Sequence, residues 1–259
     1  MPNHITTILT IEDLAGTPLD VVRKAFINGE GQIDFNMIVE MPKCLHGFEP
    51  HSGITTRAEA ALGLLPNPET LRNATSLNDL TKRLHFSNAV RDITTKPRPE
   101  DIPLIARAVQ NYAECGYTHW YDWCVEKWGT KWNCYGQPES GHPANATSFK
   151  FETAWSHPRD LIKKISERLP GVVFHVEYAD EDIGSNCGQY RIRSGESFDE
   201  DIAPRHDEQS DAERRKWAEF AFLTWYGRDV DPASRGYGDD WTYSDEVYEQ
   251  YKRRAASAN

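Results

Sequence analysis

The chain opens with strict alternation. Ile5, Thr7, Leu9 and Ile11 fall on one side, and His4, Thr6 and Thr10 on the other. This period of two predicts a half-buried strand. Thr17, Pro18 and Asp20 then give a helix start, with Thr17 as cap and Leu19, Val22 and Phe26 as the apolar stripe. Asn28-Gly29-Glu30-Gly31 stops that helix, and a second strand is predicted through Phe35, Met37 and Val39, ending at Met41-Pro42. Residues 43 to about 100 break into short helical pieces, 58–65 and 69–84. One longer helix is predicted over about 103–128, because Ile105, Val109, Tyr112, Gly116, Trp120 and Trp123 recur every three or four residues.

Alternation returns at Phe149, Phe151, Thr153 and Trp155, with Lys150 and Glu152 between them. A helix opens at Ser156 and Pro158, and Leu161, Ile162, Ile165 and Leu169 share its inner side. Pro170-Gly171 ends it. Val172, Phe174, Val176 and Tyr178 form another strand, and residues 189–193 form one more. The order is therefore strand-helix-strand, a helical insertion, then strand-helix-strand-strand. Crossovers of this kind onto one antiparallel sheet predict an α+β, ferredoxin-like sandwich with helices on one face. The other face is free unless something packs on it. The expected division is 1–42 and 147–196 for the sheet, 43–146 for the insertion, and 197–259 for an acidic helical extension. In that extension Ser210-Asp211-Ala212-Glu213 forms a capping box before Trp217, Phe220, Ala221 and Trp225, and a last helix is predicted over 246–254.

Charge narrows the function. There are 29 Lys and Arg against 40 Asp and Glu, a net of −11, so sequence-independent duplex binding is disfavoured, since it needs a basic surface. Residues 197–259 hold 15 acidic against 9 basic residues. No apolar run approaches a membrane span, and the first residues do not resemble a secretory leader. The five cysteines are read as free cytosolic thiols.

No catalytic set stands out, and no cofactor or metal is expected. Cys44, His46 and His51 cluster, but nothing completes a tetrahedral site. His4-Ile5-Thr6 and His85-Phe86-Ser87 superficially echo the paired motifs of two-histidine phosphoesterases, yet the second falls in the helical insertion. Four of the eight tryptophans lie within residues 120–132. They read either as a packing clamp or as a recognition platform in which Trp128, Lys131, Trp132 and Asn133 meet a partner. His175, Glu177, Arg191 and Arg193 occupy alternate positions of two strands. They make cross-strand charge pairs or a small-ligand site on the open face. Asp199, Glu200, Asp201, Asp207 and Glu208 form a solvated acidic loop or a phosphate-like surface for a basic groove on another protein.

Several of these stretches resemble one family. They are the opening Met1-Pro2-Asn3-His4-Ile5-Thr6, the Met-Pro ending of 35–42, Trp123-Cys124, Trp128-Gly129-Thr130-Lys131-Trp132-Asn133, and Phe151-Glu152-Thr153-Ala154-Trp155-Ser156. Together they look like Api92-like (YubB-like) proteins of phages, prophages and plasmids, over roughly residues 1–195. The resemblance implies a ferredoxin-like domain and carries over no catalytic residue. After Asp180-Glu181 the chain departs from the family's aromatic, Gly-rich turn. The expectation is a non-enzymatic protein of a mobile element that binds a host protein with a basic surface, inhibiting a host defence system. The alternative is a protein that sequesters or cleaves a nucleotide or small signalling molecule.

Overall fold

The structure, a computed structural model, describes residues 3–63 and 98–257. It contains two compact units, Met1–Val39 with Trp128–Asn259, and Glu40–Lys127. In chain order the elements are β1 (His4–Asp13), α1 (Leu19–Lys24), α2 (Phe35–Ile38), α3 (Ser52–Gly63), α4 (Asp101–Cys115) and α5 (Trp120–Trp128). They continue with β2 (Ser148–Ala154), α6 (Arg159–Arg168), β3 (Val173–Asp180), β4 (Gly188–Arg193), β5 (Glu196–Ile202), α7 (Asp211–Tyr226) and α8 (Asp245–Ser257). No helix among the described residues is long and apolar enough to cross a membrane.

The five strands form one antiparallel sheet in the order β2-β1-β3-β4-β5. Leu9 stands opposite Phe149 on one side and Val176 on the other. Two stretches far apart in sequence therefore zip into a single layer, and the β2-α6-β3 crossover steps over β1. This is the split β-α-β arrangement of an α+β, ferredoxin-like sandwich. On one face Leu9, Phe149, Phe151, Phe174 and Val176 are buried beneath Phe26, Phe35 and the α6 stripe of Leu161, Ile162 and Ile165. Phe26 meets Phe149 edge-on at 5.2 Å, and Phe35 meets Phe151 at 6.1 Å.

The opposite face receives α7. Trp217 and Ala221 pack there with Ala179 and Cys187, and Lys150 of β2 donates to the carbonyls of Thr224 and Trp225 at the end of that helix. The Ser210–Glu213 capping box is present as read from sequence. In the other unit, Ile54, Ala58, Ile105 and Val109 form the apolar seam between α3 and α4.

Four sequence expectations change. Thr17 does not cap α1, which starts at Leu19 with Pro18 at the cap position and no side-chain cap hydrogen bond. The strand predicted through Phe35, Met37 and Val39 is the short helix α2. Asp34 caps it by accepting from Asn36 N, and the i, i+3 pair Phe35 and Ile38 faces the core while Met37 is exposed. The long helix over 103–128 is two helices, because Gly116 takes φ 85° and caps α4 instead of continuing its buried face. The acidic stretch 199–201 belongs to a fifth strand. Ser194 (φ 51°) and Gly195 (φ 82°) make the two-residue hairpin turn that returns β4 into β5. The predicted piece over 69–84 and His85 lie outside the described residues.

Candidate functional site

Residues 130–135, directly after α5, run along the outer edge of the sheet. Thr130 Oγ1 donates to Ala154 O at 2.8 Å, and Tyr135 and Glu152 exchange backbone hydrogen bonds at 3.0 and 2.7 Å. This ribbon positions the Trp-rich segment.

It also separates packing residues from surface ones. Trp128 is 1% exposed, and its indole N–H donates to Val39 O at 2.9 Å. Asn133 accepts from Phe35 N and Cys134 N, and donates to Asp34 Oδ1 at 2.8 Å. Both were candidates for partner contact. Both are committed to holding α2 and the ribbon, because their polar groups are already satisfied inside the fold.

Lys131 and Trp132 are half-buried. The Lys131 ammonium sits 4.5 Å from the Trp132 ring and 5.0 Å from the Trp155 ring, so one cation is held between two indoles. Trp155 is 42% exposed and takes φ 74°, a left-handed conformation that is uncommon for a bulky residue. Its backbone N–H donates to Asn3 O at 2.8 Å. Trp132 leans on Tyr135, whose ring meets His4 edge-on at 5.5 Å. Burial, with Glu152 and Glu181 nearby, pushes the Tyr135 hydroxyl up to about 12, so it stays protonated beside His4 Nδ1. Sequence reading had Trp155 only as a strand residue and gave Tyr135 and His4 no place in this cluster.

The small-ligand candidates lie on the sheet face that carries α7. Arg191 forks onto Glu12 at 2.7 and 2.8 Å. His175 lies 3.9 Å from the same carboxylate, and its Nε2 shares a 3.0 Å hydrogen bond with Gln189. Chiefly the hydrogen bond from Arg191 holds the Glu12 carboxyl below its usual range. Arg193 stacks toward Phe198 at 5.8 Å, and Glu177 stands between Ile8 and Gln189 in the ladder. His175 and Arg191 are thus brought together by Glu12, which sequence reading missed. The Arg191 guanidinium is engaged by Glu12 in this pairing.

The acidic candidates are spread along β5 and the following turn. Asp199 lies 3.8 Å from Arg191, Glu200 accepts from Arg159 and Ser197, and Asp201 is bound by Lys216 at 2.9 Å. Asp207 pairs with Arg205 at 3.5 Å, and Glu208 is exposed in the turn before α7. The register shift between Gln189 and Arg191, with Asp199 at φ 50°, marks a bulge that splays these carboxylates apart. In the helical unit Cys44 Sγ lies 3.5 Å from Cys115 Sγ, a proximity that their separation in sequence hid. No group of three metal-ligating side chains occurs among the described residues.

One polar node had no sequence signal. His157 is hydrogen-bonded through Nδ1 to Thr7 (3.0 Å) and through Nε2 to Tyr190 (2.8 Å), and it stacks on Tyr178 at 4.4 Å. Desolvation, reinforced by Arg159, lowers it to about 3. Both ring nitrogens serve the core.

No curated protein and no solved structure gives a match to the chain. The family match runs past residue 195 into α7, and it leaves out β1, the strand between β2 and β3. Residues 127–221 match the family model described as the ferredoxin-like domain in Api92-like protein, and this stretch of the chain is similar to that domain.

Proposed function

We propose that this protein acts by recognition and docks on a partner protein through Lys131, Trp132 and Trp155. The observation that carries this reading is the cation held between two indoles at the outer edge of the sheet, one of them, Trp155, exposed. Aromatic and cationic anchors of this kind dominate binding energy at protein interfaces, and here the backbone holds Trp155 outward in a strained conformation. The resemblance to proteins of phages and plasmids supports a partner from the bacterial host, and a defence protein is the class whose inhibition serves a mobile element. The net charge of −11 favours a partner with a basic face.

Capture from a host lysate with the intact chain, beside Trp132→Ala and Trp155→Ala, tests it. The expected result is one stoichiometric protein held by the intact chain at low salt, released as salt rises, and lost from both variants at unchanged melting temperature. Equal capture by all three chains sinks the proposal.

A further inference from the structure

Cys44 and Cys115 are 71 positions apart in sequence, yet their sulfurs lie 3.5 Å apart in the helical unit. Three features hold them there. Gly116 takes φ 85° and ends α4, so Cys115 is the last residue of that helix. Phe48 is buried in the apolar cluster that includes Ala113 of α4. Arg107 of α4 lies over the Phe48 ring at 4.6 Å and donates to His46 O at 3.4 Å. The segment that carries Cys44 is thus tied to the helix that carries Cys115.

Both cysteines are half-buried, whereas Cys124 and Cys187 are buried, and the Cys134 thiol donates to Ile33 O at 3.2 Å. A disulfide holds its sulfurs about 2.05 Å apart, so closing this pair takes an approach of about 1.5 Å, the scale of a side-chain rotation. Desolvation, then Cys115 and Glu114, pushes the Cys44 thiol up to about 12. Cys44 is therefore held protonated, and Cys115 is the sulfur left to attack an oxidant first. Once Cys115 sits in a mixed disulfide it carries no charge, and its share of the opposition to Cys44 ionising is gone.

We propose that Cys44 and Cys115 are an oxidisable dithiol that a small-molecule disulfide, RSSR, closes into a cross-link of the helical unit. The Cys115 thiolate attacks one sulfur of RSSR, whose S–S bond breaks with release of RS⁻. The Cys44 sulfur then attacks the Cys115 sulfur of the mixed disulfide and displaces the second RS⁻. The two cysteine sulfurs are oxidised, RSSR is reduced to two RSH, and the protons of the two cysteine thiols end on the leaving thiolates. The bond closes a loop that contains α3, so the oxidised form of this unit opens less readily. The dithiol is independent of docking through Lys131, Trp132 and Trp155.

Exchange of the reduced full chain with oxidised glutathione, followed by thiol blocking and peptide mapping by mass spectrometry, tests the proposal. The expected main product is a linked Cys44–Cys115 peptide, with Cys124 and Cys187 still free and the link reversed by dithiothreitol. Amide exchange in α4 is expected to be slower in the oxidised chain than in the reduced one. Cys44→Ser is expected to trap glutathione on Cys115; if that variant does not fold, the peptide map of the intact chain decides alone. Thiols that all stay free at millimolar oxidised glutathione overturn the proposal. So does a stable glutathione adduct on either cysteine of the intact chain, linkage of a different pair, unchanged exchange in α4, or a folded Cys44→Ser chain without the Cys115 adduct.

Discussion

His157 shows how much a single side chain can be asked to do inside this sheet. One imidazole ties β1 to β4 through Thr7 and Tyr190 and lies flat on Tyr178 of β3. Burial keeps the ring neutral there. The unfolded chain takes up the proton near pH 6.5 whereas the folded chain resists it, so its contribution is full above about pH 6.5 and is lost as pH falls toward 3. His142, lowered by burial and then by Arg23, acts with the same sign. Denaturant unfolding between pH 7 and pH 4 is therefore expected to show declining stability, with a shallower slope in His157→Gln. An unchanged slope in that variant would exclude His157 as a source. Gly141 is a second residue whose identity is fixed by space. It takes φ 72°, and a Cβ there would lie 2.2 Å from Glu30 O, so only glycine lets these two loops touch.

At the scale of elements, α7 decides what the second sheet face becomes. Its docking combines an apolar stripe, a capping box and a single lysine. Burial lowers the Lys150 pKa, yet the ammonium finds the two carbonyls that end the helix, where a cation is favoured. Lys150→Met keeps much of the stem and removes the donor. It is expected to destabilise the protein by about 1–3 kcal/mol and to speed amide exchange in α7 more than in α6. Uniform exchange in both helices would contradict this role. The fifth strand is the other decision at this scale. Its sequence, Glu196-Ser197-Phe198-Asp199-Glu200-Asp201-Ile202, reads as solvated acid. It is an edge strand in which charge and a bulge guard against further pairing, and the Ser194-Gly195 turn places it beside β4.

At the scale of the whole molecule, the aromatic layer under α1, α2 and α6 holds the sheet unit together. Phe151 lies at its centre, 2% exposed and edge-on to Phe35. Phe151→Ala is expected to cost about 3–5 kcal/mol and to lower Tm by an amount on the order of 10 °C, measured by calorimetry. An unchanged Tm would mean that the core is elsewhere. Because Phe35 also meets Trp128 at 5.8 Å, the Trp-rich ribbon that carries Lys131 and Trp132 is anchored to this core at one end.

Much of this was written in local pattern. Period-two alternation located β1, β2, β3 and β4, the stripe of Leu161, Ile162 and Ile165 located α6, and Ser210 with Glu213 located the start of α7, because each is set by contacts between near neighbours in sequence. Phe35 to Val39 misled, since three apolar residues at alternate positions suit a strand, while the Asp34 cap and the i, i+3 pair suit a helical turn. Only the tertiary structure could choose. It alone also joined Glu12 to Arg191, Thr7 to His157, and Lys131 to Trp155. Those pairings depend on register and on chain reversal, so residues distant in sequence become neighbours only when the sheet has closed and α7 has packed on it.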